Sequence, residues 1–307
     1  MNFFNDVIMS IKKDEVLTMK FLSKDKHVHQ YSPDNAPSLT VAPGEIFQLE
    51  TPSILTFIET FPDSVVLPVT GPVEVQNAEP GLTLKVDILK IELTAGEAAI
   101  TAIPGKGAFA DRISRPSYKV VTYDNTHVNF NDDLKIPLRP MVGKIGVAPV
   151  KIGISSGTSG SHGGNMDITD ITEGASVYLP IFVQGALMAA GDVHALMADG
   201  ESHLSAVETE SVLILRCDVT DAIRLTHPLV VTQSHIMTVG EGRTLEEAYH
   251  IALDDMAKII MDYNGLDFLD AVMLISNAAD LKINQIVNPM VGVRAAFPKA
   301  LLGRAMF

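Results

Sequence analysis

The chain has 307 residues, 47% of them hydrophobic and 20% charged, enough for one large core or two modest ones, since single cores rarely grow beyond about 250–300 residues. A formal net charge of −14 repels phosphate backbones, and the basic residues are scattered; the nearest cluster, Lys24 and Lys26 beside His27 and His29, is no basic patch, so no nucleic-acid partner is expected. No run of about 18 apolar residues occurs and the first residues, Met1 to Asp6, lack a charged start before an apolar run, so neither a membrane span nor a signal peptide is expected.

Residues 1–232 read as short β-prone runs separated by turns at Pro43-Gly44, Pro80-Gly81, Pro104-Gly105, Gly163-Gly164 and Gly174. Ile46 to Glu50 is one such run. Leu82 to Leu89 alternates apolar and polar, which predicts Leu82, Leu84, Val86 and Ile88 on one buried face. Ser176 to Val183 and Ser211 to Val219 are further strands. Many short strands with regular turn signals predict a mainly β fold, a barrel- or sandwich-like body. The single cysteine, Cys217, excludes an internal disulfide; inside an apolar run it reads as a small hydrophobe, and a reducing cytoplasm fits it.

The pattern changes in residues 233–307, expected to pack on that β-rich catalytic body. Thr244-Leu245-Glu246-Glu247 is a capping box, helical spacing follows from Leu245 to Tyr263, and Asn264-Gly265 supplies a left-handed stop. A second helix is predicted from Asp267 to about Ala279, making a C-terminal α-helical hairpin, and a returning strand from Lys282 to Val287. The apolar run from Met290 to Phe307 would be a sticky patch if exposed, and a subunit interface is the favoured use.

Three polar clusters could carry chemistry. In Gly163-Gly164-Asn165-Met166-Asp167 an extended backbone aims Asn165 and Asp167 the same way, with glycines letting a ligand approach. In Gly191-Asp192-Val193-His194, Asp192 and His194 share a face, a carboxylate and imidazole pair suited to zinc, manganese or iron. Asp199-Gly200-Glu201-Ser202-His203, followed by Glu208 and Glu210, offers a general base. Each has a plainer reading as a capped turn or hairpin, but their density in an otherwise apolar region favours function. The stretch from Ser155 to Ser161, with Lys144 or Lys151 upstream, leaves a serine-dependent amidase open as an alternative; Gly143-Lys144-Ile145-Gly146 and Gly105-Lys106-Gly107 lack phosphate-loop spacing.

Four blocks resemble the acetamidase/formamidase family: Val69-Thr70-Gly71-Pro72-Val73 through Pro80-Gly81, Gly163 to Asp167, Gly191 to His194 through Glu201, and Ala279 to Asn288. Together they span nearly the whole chain. The resemblance implies hydrolysis of formamide- or acetamide-like amides to carboxylate and ammonia, a homodimer or higher homo-oligomer, and a divalent metal, zinc or calcium. It makes Asn165, Asp167, Asp192 and His194 the metal shell, with His29, before Pro43-Gly44, completing it. Glu201, with Glu208 in reserve, would be the general base. The chain departs from the family pattern at Leu67, where a small polar residue is expected, and at Met197-Ala198. A non-catalytic β-barrel holding a metal or small ligand is the other alternative.

Overall fold

The computed structural model describes residues 19–55 and 66–304. It is mainly β. One nine-stranded sheet runs in the order Lys20–Leu22, Ile46–Thr51, Ser211–Thr220, Thr83–Leu93, Ser176–Pro180, Leu229–Val231, His235–Gly242, Val291–Pro298 and Asp280–Gln285. A twelve-stranded sheet has at its centre Glu97–Ala102, Val207–Thr209, Met188–Leu196, Met141–Gly146 and Gly163–Asn165, with Val69–Val75 also paired to Met188–Leu196. Residues from both sheets, among them Leu84, Val86 and Ile88 from one and Val142, Val193 and Val73 from the other, meet in a single core.

The alternation in Thr83–Leu93 has the expected effect: Leu84, Val86 and Ile88 are buried, and Leu82 packs at the edge. Leu89 and Asp87 on the opposite face are buried as well, because this strand lies between two others in the sheet and is covered on both sides. Cys217 is buried in Ser211–Thr220, and burial pushes its thiol up, away from the reactive thiolate.

Helices α1 (Leu245–Asn264) and α2 (Phe268–Ala278) cover the outer face of the nine-stranded sheet, where Ala252, Met256 and Ile260 meet Leu229, Ile236 and Phe297. Thr244 Oγ accepts from the Glu247 N–H at 3.1 Å, and Gly265 stops α1 at φ 65°. The Glu247 carboxylate reaches past Thr244 to the Arg243 N–H at 2.7 Å, one residue further than the capping-box pattern predicts. Asp267 caps α2 through the Asp270 N–H at 2.9 Å.

Two expectations are corrected here. The returning strand begins earlier, at Asp280, and is followed by Val291–Pro298, which pairs on both sides. The apolar run after Met290 is therefore largely consumed in the chain's own sheet, with Phe297 fully buried; Met306 and Phe307 lie outside the described residues. No helix among the described residues is long and apolar enough to cross a membrane.

Candidate active site

Four segments deliver five ionisable side chains into one buried volume. Asp192 and His194 come from Met188–Leu196, where the period of two puts them on one side, His194 Nε2 lying 3.4 Å from Asp192 Oδ1. Glu208 sits directly across the antiparallel ladder from His194. Asp167 follows the short strand Gly163–Asn165, and Glu201 follows the Asp199-Gly200 turn. All five are buried. Their ligand atoms form two groups, Asp167–His194–Glu201 and Asp192–His194–Glu208, with all atoms of a group within 4.8 Å of one another.

The backbone is bent to bring them together. Asp167, Asp192 and Glu201 take φ of 49°, 56° and 35°, a left-handed conformation costly for residues with a Cβ and concentrated at functional sites. Gly143, on the strand next to Asp192, makes room: a Cβ there would lie 2.7 Å from Asp167 Oδ1, 2.8 Å from the Asp192 carbonyl and 3.1 Å from His194 Cε1. The glycines at 163 and 164 serve a different end from the one predicted. A Cβ on Gly163 would meet the Ile145 carbonyl at 2.4 Å, and one on Gly164 the Thr158 carbonyl at 2.3 Å, so they admit the chain's own backbone.

Four buried carboxylates face one imidazole and one ammonium, Lys144, whose Nζ is 3.2 Å from Asp192 Oδ2 and donates to the Leu67 carbonyl at 3.1 Å. Burial opposes ionisation of Asp192, but Lys144 and His194 outweigh it and hold its carboxyl well below the usual range. Burial would push His194 down; Asp192, with Asp167 and Glu208, instead lifts it to about 9. The other three are held toward the neutral, protonated form. Burial, aided by Asp192, pushes Asp167 up to about 6 and Glu208 up to about 8, and burial with the Asp167 charge drives Glu201 well above the carboxylate range.

A divalent cation fits this donor set. Asp167 Oδ1, Glu201 Oε2, Glu208 Oε2 and His194 Nδ1 are buried without a hydrogen-bond partner, and Asp192 Oδ1 and His194 Nε2 have only their own long contact at 3.4 Å, although buried polar atoms in folded proteins are almost always paired. Convergent, unpaired oxygen and nitrogen donors with surplus negative charge are what a cation would satisfy.

The remaining candidates lie around this centre. Asn165 is buried beside Lys144 in the ladder, its Oδ1 unpaired. The His29 side chain is exposed, its ring edge-on to His27 at 5.7 Å, and it belongs to neither donor group. In the Gly/Ser stretch, Ser156 donates to the Leu67 carbonyl at 3.0 Å and Ser159 to Glu241 Oε2 at 2.7 Å. Among the described residues no hydrogen bond joins Lys144 to a serine of 155–161.

Sequence reasoning missed Tyr31, whose buried hydroxyl is unpaired and which burial and the Asp192 and Asp167 charges push upward, and Asn288, whose Nδ2 donates to Asp167 Oδ2 at 3.1 Å. It gave Lys144 a different role, although a lone lysine inside the buried strand Met141–Gly146 was itself a signal.

Comparison with known proteins gives the fold and site a family. A family model described as acetamidase/formamidase matches residues 153–301. The crystal structure of a recombinant predicted acetamidase/formamidase from the thermophile Thermoanaerobacter tengcongensis superposes with a TM-score of 0.88 at 37% identity, covering 92% of this chain and 97% of that one. The chain belongs to the acetamidase/formamidase family. An acetamidase from Bacillus halodurans aligns at 33% identity with a TM-score of 0.85, over 91% of this chain and 97% of its own. An acetamidase from Mycolicibacterium smegmatis is 36% identical over 59 residues, 19% of this chain and only 14% of that protein.

Leu67 serves the site through its backbone. Its carbonyl receives both Lys144 and Ser156, while its side chain is buried against Ile54 and Ala99. Met197 and Ala198 line a cavity beside Glu201.

Proposed function

We propose that this acetamidase/formamidase family member hydrolyses small primary amides, formamide- or acetamide-like, to carboxylate and ammonia with a bound divalent cation. The observation that carries this reading is the set of unpaired donors on Asp167, Asp192, His194, Glu201 and Glu208 converging in one buried volume. Asp167, Asp192 and His194 would hold the cation with Glu208, and Asn165, opposite Lys144 in the ladder with its Oδ1 unpaired, is a further candidate. Both donor groups include His194, which favours zinc over calcium, since calcium takes oxygen ligands. The cation supplies Lewis acidity that polarises the amide carbonyl and acidifies water.

Glu201 is the proton carrier. With the cation in place its carboxylate is the base that takes a proton from the attacking water and hands it to the departing nitrogen. The water oxygen bonds to the carbonyl carbon, the C–N bond breaks, and nitrogen leaves as ammonia instead of an unstable amide anion. Lys144 holds Asp192 ionised throughout, and burial keeps bulk water from competing.

A cytoplasmic setting fits the single buried thiol. A homodimer or larger homo-oligomer is proposed from the exposed Phe268, Leu269 and Met273 of α2 beside Leu281 and Ile283 on the sheet edge. Ammonia release from an amide panel, before and after chelation and with zinc or calcium restored, tests the chemistry. Activity is expected to vanish with chelator, return with metal, and be absent in Asp192→Ala and His194→Ala. Full activity in both variants would refute the site.

A further inference from the structure

Glu201 also lines a cavity of about 630 Å³. The cavity's other walls are Ile100, Phe130, Leu138, Leu196, Met197 and Val207. It is graded from outside to inside: Arg139, Ala198, Asp199 and Ser202 are exposed, whereas Met197, Ala206, Val207 and Glu201 are buried. The mouth is therefore mixed and polar, and the inner wall is mainly apolar, its polar groups being Glu201, His203, whose buried Nδ1 has no hydrogen-bond partner, and Ser205. Arg139 is fixed at the mouth by a hydrogen bond from Nη2 to the Met197 carbonyl.

The size is wrong for the smallest amides alone. A water molecule's share of liquid is roughly 30 Å³, so the cavity corresponds to roughly twenty such volumes, well within the range of sites for much larger ligands. Formamide and acetamide occupy a small fraction of it. Largely apolar walls with a few polar groups, Glu201 and His203 among them, suit a ligand with an apolar body and one polar end. Met197 and Ala198 both line this cavity, one supplying apolar wall and the other leaving width at the mouth.

We infer that the preferred substrates are primary amides with an extended apolar acyl group, the chain lying in this cavity while the carboxamide reaches the Glu201 end. The inference rests on the amide-hydrolase reading of the same site. The acyl side is assigned because a primary amide carries only hydrogens on nitrogen. Burying each added methylene is worth about 0.8 kcal/mol, or roughly a fourfold gain, so the series from acetamide to hexanamide should rise by about two orders of magnitude in kcat/KM.

The test compares acetamide, butyramide, hexanamide and N-butylacetamide on the metal-loaded enzyme, and measures hexanamide binding by calorimetry on the protein as purified. Two variants probe the cavity: Ala198→Phe, which narrows it from an exposed position, and Leu138→Asp, which charges a half-buried wall. The rising series is expected, together with at least a tenfold fall in the hexanamide-to-acetamide ratio in each variant and matching loss of hexanamide binding. A flat series in an enzyme that hydrolyses acetamide, a rising series indifferent to both variants, or preference for N-butylacetamide overturns the inference and spares amide hydrolysis. No turnover of any amide, with hexanamide binding still lost in Ala198→Phe, sinks the hydrolase reading and leaves an apolar amide-binding cavity. No turnover and unaltered binding overturns both.

Discussion

Replacing Gly143 with alanine tests the geometry of the site without removing any of its functional atoms. The added Cβ would stand 2.7 Å from Asp167 Oδ1, 2.8 Å from the Asp192 carbonyl and 3.1 Å from His194 Cε1. Restoring ordinary contacts of about 3.5 Å requires shifts of roughly 0.4–0.8 Å, and one of the three obstacles is backbone. Overpacking of this kind costs about 1–3 kcal/mol of stability. Displacing catalytic groups by about 1 Å costs about a hundredfold in rate. Gly44→Ala is the control: φ is 80° and nothing lies within 4 Å of the added methyl, so it incurs only the left-handed strain, roughly 1–2 kcal/mol. Urea denaturation should place the two variants within about 2 kcal/mol of each other, while ammonia release falls about a hundredfold in Gly143→Ala only. Gly143→Ala with activity within about twofold of the parent, while Asp192→Ala is inactive, would refute the packing argument.

Lys144→Met removes an ammonium paired with Asp192 in the interior. The metal-free protein should lose about 3–5 kcal/mol, measured as a shift in the urea midpoint, and saturating zinc should restore part of it by supplying the missing positive charge; an unchanged midpoint would show that Asp192 does not need Lys144. His162 is buried, and burial lowers its pKa from 6.5 to about 4. The folded state thus prefers the neutral ring, whose stabilisation is complete above about pH 6.5 and fades as pH falls toward about 4, worth about 3 kcal/mol in all. His162→Phe should flatten that part of the pH dependence of the urea midpoint, and an equal slope in both proteins would place the acid sensitivity elsewhere.

The parts of the fold legible in the sequence are those set by local rules. Alternation marked Thr83–Leu93, and the Thr244 cap and Gly265 stop bounded α1. Asp192 and His194 could be placed on one face because the period of two holds locally despite the left-handed turn at Asp192. What could not be read depends on contacts between distant segments. Val291–Pro298 was missed as a strand because burial on both faces erases alternation and leaves only an apolar run. The reason for Gly163 and Gly164 lies in the carbonyls of Ile145 and Thr158, which pairing and loop closure bring to them. The dual contact of Leu67 is made by its backbone, to which side-chain patterns are blind.

The C-terminal segment does more than cover the sheet. Arg294, fully buried on Val291–Pro298, donates to Asp170, Asn284, Thr169 and Asp199. Two of these, Thr169 and Asp170, closely follow Asp167, and Asp199 opens the turn that carries Glu201. The Gly200 N–H bonds the Asn284 carbonyl at 2.9 Å, the Ile286 N–H returns to the Gly200 carbonyl at 3.2 Å, and Asn288 holds Asp167 itself. Asp192, His194 and Glu208 lie on adjacent strands and are positioned by their own ladder. Asp167 and Glu201 sit on irregular backbone outside the ladders, and the C-terminal strands and the turn between them provide hydrogen bonds that hold it. The family block from Ala279 to Asn288 contributes no donor to either Asp/Glu/His group, yet it fixes one carboxylate of the Asp167–His194–Glu201 group directly and the turn bearing another.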